Sequence, residues 1–370
     1  MSFDEIDFTS TPNFSYKEIV RENSECCSTT HQFACYKNEF NEVILISPYF
    51  NLQELIREKT EEEIVKEEDE EYPIYLIKLT KDNDNKDIKN KEDKNNPNIV
   101  QILKGHKARI SIVRHFQNPY TKKNYLMSAD QNSYVSIWCL SDNYSNIYGY
   151  NIQNNQKVDD LIISALMIFD EKNIIAFFGS SKLTQIDLNR RTLKDISLYD
   201  KSILYLCHWH NKLDNQHYII ECLDSSVIIF SLEHIRLYLD IKTCNYNLSC
   251  VVFQKHNIDH LAICSSLGQI TIVNLINKKI EEPIVLQDCN LYTILRWNQH
   301  YLLVNDCLQK RILVIEIDED YRLISHALCP EMNFDRFIAK VIHPQYGESI
   351  LSIGCDYRIK LFSSRNIKIK

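Results

Sequence analysis

Gly105-His-Lys-Ala-Arg-Ile-Ser-Ile-Val-Arg114, Asn124-Tyr-Leu-Met-Ser-Ala-Asp130 and Tyr134-Val-Ser-Ile-Trp-Cys-Leu140 decide the fold. Each stretch is short, apolar or alternating, and bounded by polar turn residues, which is the pattern of a β-strand. A fourth strand is expected at Asn146–Ile152.

Working outward, the same unit recurs five times down the chain. The copies fall at 161–188, 202–232, 247–275, 291–317 and 337–363. Their third strands align without gaps: Tyr134–Cys139, Lys182–Asp187, Ser226–Ser231, Gln269–Asn274, Arg311–Glu316 and Arg358–Ser363. The repeat spans about 40–50 residues, the spacing of a four-stranded propeller blade. An earlier copy is interrupted but readable as Thr29–Tyr36, Glu42–Ser47, Pro73–Leu79 and Asn98–Leu103. The expected fold is an all-β, seven-bladed β-propeller forming one domain over residues 1–370. Blade one takes 26–104, with inserts at 52–72 and 80–97. Blades two to six take 105–330, and blade seven takes 331–370. An open ring would leave an unpaired edge, which proteins avoid. Phe14–Val20 is expected to add the missing outer strand; the alternative is Asn366–Lys370.

Composition narrows the function classes. The chain has 370 residues, 44% hydrophobic and 25% charged, as in an ordinary globular protein. The formal net charge is −8, and the segment Glu54–Glu71 alone carries ten acids against three bases. The remainder is nearly neutral, without the basic stripe that nucleic-acid binding needs. Thirteen cysteines, many inside apolar runs, and an acidic N-terminus point to a reducing, cytoplasmic setting. No apolar run reaches the ~18 residues of a membrane span.

These residues resemble the WD40 repeat family, in the divergent form found in single-celled eukaryotes with AT-rich genomes. Gly105-His106 followed by Trp138 matches the family's Gly-His to Trp-Asp spacing, although the dipeptide here is Trp138-Cys139. The resemblance implies a structural hydrogen-bond network of His106, Ser128 and Trp138. Asn132 takes the usual turn-acid position, with Asp130 close by; Asp224 and Asp356 keep turn acids elsewhere. It also implies peptide binding at the turns that lead into each first strand. The corresponding contact candidates are Lys107, Arg109, Asp160, Tyr246, Asn290 and Arg336.

Other signals point to little chemistry. Cys26, Cys27, His31 and Cys35 have metal-ligand types but span a turn and a strand, so no metal is expected. Asp82–Asp93 lacks the glycine and the final Glu of a calcium loop. His256 and His260 read as turn histidines, and His208-Trp-His210 as a strand end with one exposed imidazole. No nucleophile elbow, phosphate loop or kinase signature occurs, so neither enzyme activity nor a cofactor is expected. Arg190-Arg191 supports an alternative, a membrane-trafficking propeller effector that binds phosphoinositides. Residues 52–71 read either as a docking element or as a solvated loop. The expected function is a non-catalytic scaffold or adaptor that binds proteins or peptides.

Overall fold

The computed structural model describes residues 14–20, 34–48, 72–79, 99–152, 161–170, 173–199, 201–243, 246–317, 321, 323–328, 337–343, 347–353 and 359–364. These residues form strands and turns, and no helix occurs among them.

After β1 (Phe14–Val20), the strands fall into sheets in chain order. The first sheet holds β2 (Ala34–Lys37), β3 (Val43–Ser47), β4 (Tyr72–Lys78) and β5 (Ile99–His106). The second holds β6 (Ile110–Gln117), β7 (Asn124–Asp130), β8 (Tyr134–Cys139) and β9 (Ser145–Asn151). The third holds β10 (Ser164–Phe169), β11 (Ile174–Gly179), β12 (Leu183–Asp187) and β13 (Thr192–Asp195). The fourth holds β14 (Tyr205–Asn211), β15 (Gln216–Cys222), β16 (Ser226–Ser231) and β17 (Arg236–Lys242). The fifth holds β18 (Asn247–Lys255), β19 (Ile258–Ser265), β20 (Gln269–Asn274) and the short β21 (Lys279–Ile280) and β22 (Ile284–Val285). The sixth holds β23 (Leu291–Arg296), β24 (Tyr301–Asp306), β25 (Arg311–Glu316) and β26 (Leu323–Leu328). The seventh holds β27 (Phe337–His343), β28 (Gly347–Ile353) and β29 (Ile359–Ser364), and β1 completes it. β1 pairs antiparallel with β29, Tyr16 opposite Phe362 and Phe14 opposite Ser364.

Apolar alternation explains how the sheets stack. Side chains along a strand point to opposite faces, so each sheet has two apolar faces to bury. Seven core clusters do this, each shared by two sheets. Trp138, Val113 and Leu126 of the second sheet pack on Ile44 and Leu76 of the first. Met127 and Ile137, on the other face, pack on Met167 and Phe178 of the third. The series continues around to a cluster joining Val341 and Leu351 of the seventh sheet to Val43 and Leu45 of the first. Each fully buried side chain of this size contributes about 1.5–3 kcal/mol. Burial falls outward: β7 is buried throughout, whereas β13 is exposed throughout.

The sheets share one orientation. Ser111 Oγ donates to Ile162 O at 2.7 Å, Leu206 N–H to Ser164 Oγ at 2.7 Å, and Ile294 N–H to Ser249 Oγ at 3.5 Å. Each bond ties the beginnings of neighbouring first strands together. One edge, the leading edge, therefore carries the connections into first strands and the second-to-third turns. The opposite hairpin edge carries the first-to-second turns.

Candidate interaction surface

His106 is the last residue of β5, in the first sheet, yet its side chain bonds to the second. Nδ1 lies 3.0 Å from Asp130 Oδ2 and Nε2 lies 2.8 Å from Ser128 Oγ. A carboxylate only accepts, so in the neutral tautomer Nδ1–H donates and Nε2 takes the Ser128 hydroxyl proton. The Ser128 oxygen in turn accepts Trp138 Nε1–H at 3.3 Å. Asp130 Oδ1 accepts the N–H groups of Asn132 and Tyr134. All four side chains are buried. The turn acid is thus Asp130. Asn132, read from sequence as its substitute, is exposed and contributes its backbone N–H. The reason is register: Asp130 lies two residues past Ser128, on the same strand face.

That register finds what sequence reading missed. In the fourth sheet Glu221 occupies the Ser128 position. It pairs with Ile228 two residues before Phe230, as Ser128 pairs with Ser136 two before Trp138. Glu221 is 2% exposed, and its Oε1 has no hydrogen-bond partner among the described residues. Burial among Leu206, Ile219 and Phe230 pushes its carboxyl up to about 7. Asp224 lies three residues past Glu221, off the register of Asp130, and is exposed. The acid that does hold register is Asp306, two past Val304. It is fully buried, accepts Asn290 N–H at 3.0 Å and faces Arg311 Nε at 2.9 Å. Counting two residues from the strand position, rather than seeking an acid in the turn, would have found it.

The contact candidates divide. Lys107 and Tyr246 are exposed on the leading edge, and Arg109 and Asn290 are half-buried there. Asp160, Arg336 and Asp356 lie outside the described residues, as do 52–71, Cys26, Cys27, His31 and 82–93. Tyr246, Leu267, Val285 and Leu308 are four exposed apolar residues on this leading edge of the fifth and sixth sheets. Backbone bonds tie together the segments that carry them: Ser266 N–H to Tyr246 O at 3.1 Å, Leu286 N–H to Gly268 O at 2.9 Å, and Cys307 N–H to Asn290 O at 3.0 Å. Gly268, at φ +73°, permits this approach, because a Cβ there would collide with Leu286 O.

At the end of β14 His210 is exposed and His208 half-buried, the single exposed imidazole that was expected. His217 contacts both: His210 stacks on it with ring centroids at 4.5 Å, and His208, nearly coplanar with it at 5.0 Å, brings Nε2 within 2.8 Å of His217 Nδ1. Both imidazoles of the strand are engaged, because residues two apart share a face. Burial and the neighbouring rings push His208 down to about 3. His256 is an exposed turn residue, whereas His260 is a buried strand residue 3.4 Å from Glu281. No group of three or more His, Cys, Asp or Glu suited to a metal occurs among the described residues. Arg190 lies 3.8 Å from Asp187, and Arg191 sits in the turn at φ +53°.

No family model and no curated protein matches this chain. Solved structures do. A crystal structure of BBS1N in complex with ARL6DN, soaked with lead, superposes with a TM-score of 0.65 at 12% identity. The match covers 97% of this chain and 98% of that one. The mercury-soaked form gives 0.64 at 11% identity, covering 96% and 98%. BBS1N is a β-propeller, and this chain shares that fold.

Proposed function

We propose that this chain is a closed, seven-bladed, WD40-type propeller acting as a non-catalytic scaffold that holds a protein or peptide on its leading edge. Residues 1–370 form one domain in this reading, with the blades bounded as the repeats suggest. Seven sheets, and a core cluster shared by the seventh and the first, support closure. The His106–Ser128–Trp138 chain supports the WD40 assignment. The eight described cysteines are free thiols, which supports a reducing, cytoplasmic setting.

The observation that carries the function is the set of Tyr246, Leu267, Val285 and Leu308. Large apolar side chains exposed together on one edge are candidates for an interaction site. A partner on the related fold, ARL6DN on BBS1N, is in keeping with such a role. The test is affinity capture from native lysate with the wild type and with Leu267→Ser/Val285→Ser. A specific protein partner should be retained by the wild type and lost from the variant. Equal recovery by both would move the site off this set.

A further inference from the structure

The hairpin edge repeats one construction. Asn38 Oδ1 accepts Phe40 N–H at 3.0 Å, Asn118 Oδ1 accepts Tyr120 N–H at 2.9 Å, and Asn211 Oδ1 accepts Leu213 N–H at 3.0 Å. Each is an Asx turn, which fixes the backbone two residues after the Asn. The residue so held carries a large apolar side chain into solvent: Phe40 is 74% exposed, Tyr120 54% and Leu213 77%. In the fifth sheet Ile258, 41% exposed, follows Asn257 in the left-handed region. Each tip has a lysine within three residues. Lys37 accompanies Phe40, Lys122 and Lys123 accompany Tyr120, Lys212 accompanies Leu213, and Lys255 accompanies Ile258.

The tips lie on one edge, in two pairs of adjoining sheets with the third sheet between the pairs. Tyr36 of the first sheet stacks on His115 of the second at 4.9 Å, and Trp209 Nε1–H of the fourth donates to Asp259 of the fifth at 2.9 Å. Some charge is already engaged: Lys123 pairs with Asp142, and Lys255 lies 3.9 Å over the Tyr321 ring. Glu39, Glu42, Asp214 and Asp259 also stand at these turns; Glu42 pairs with Lys78, Asp214 accepts the Tyr218 hydroxyl, and Asp259 accepts from Trp209 and Gln254. Lys37, Lys122 and Lys212 are exposed.

We infer that the hairpin edge rests on an anionic lipid surface, with Phe40, Tyr120, Leu213 and Ile258 entering the interface and the lysines meeting the headgroups. A single exposed apolar residue needs no explanation. Four on one edge, each beside a lysine, combine the two elements of interfacial binding, apolar insertion and attraction to anionic lipid. The tips are spread over separate sheets, so a protein would need a matched pocket for each. A bilayer offers one continuous apolar layer beneath one charged layer. This contact uses the edge opposite the proposed protein site, so either can fail alone.

The full chain should co-sediment with vesicles of phosphatidylcholine and phosphatidylserine, and far less with phosphatidylcholine alone. Phe40→Ser/Leu213→Ser should weaken that binding about tenfold without altering thermal unfolding, since both side chains lie in solvent. Tyr246→Ser/Leu267→Ser, on the leading edge, should leave it unchanged. Failure to bind either vesicle would overturn the inference. Retained binding by the Phe40/Leu213 variant, or equal loss from the leading-edge variant, would overturn it as well.

Discussion

In the second sheet, Ser128 faces the neighbouring sheet with three partners in line: Trp138, His106 and Asp130. In the fourth sheet, the same strand position holds Glu221, its neighbour in the Trp138 place is Phe230, and Oε1 meets no partner among the described residues. Both sites are buried between sheets and flanked by apolar residues. A buried polar group is cheap when its bonds are made and costly when they are not. The fourth sheet holds its place through packing, and carries a carboxyl that resists ionisation.

The largest effect should come from breaking the satisfied site. Asp130→Ala strands His106 Nδ1–H and two backbone N–H groups, and should cost about 3 kcal/mol in urea unfolding. A neutral result would show that packing alone holds the second sheet. Next is Glu221→Gln. The carboxyl is raised in the folded chain, to about 7 from the ordinary 4.5. Between those values the folded state keeps a proton that the unfolded state loses, so stability falls as pH rises through this range and stays lowered above it. The substitution should therefore add up to about 3 kcal/mol at pH 8 and little below pH 4.5. A gain that does not vary with pH would separate it from Glu221 ionisation.

Trp138→Phe makes the second sheet resemble the fourth. It removes one long hydrogen bond and part of a buried ring, and should cost about 2 kcal/mol, measured by thermal unfolding. At neutral pH the smallest effect is expected at the histidine cluster. His208 is lowered below its ordinary value of 6.5, so its contribution is complete above that value and is lost as pH falls toward 3. His208→Phe should flatten the acid side of the stability–pH curve, opposite in slope to the Glu221 effect.

The second sheet was readable because its parts are local signals: Gly105-His106, Ser128 and Trp138 stand at recognisable spacings. Asn132 and Asp224 were misread for different reasons. Asn132 lies two residues beyond Asp130, out in the turn, where it gives Asp130 its backbone N–H. Asp224 lies three past Glu221, in a turn shorter by one, which puts it off the face. Asp306 and Glu221 went unnoticed because each lacks the residues that usually accompany it.

What the sequence determined by itself was the strand pattern and its repetition. Period-two alternation and polar turns act over a few residues, and each copy states them again. Only the tertiary structure decided which faces meet: that His106 serves a sheet other than its own, that Glu221 Oε1 meets no partner among the described residues, and that the apolar tips from Phe40 to Ile258 share an edge with their lysines. Those relations join residues far apart in the chain, and they depend on cross-strand register and sheet stacking, which no short stretch of sequence encodes.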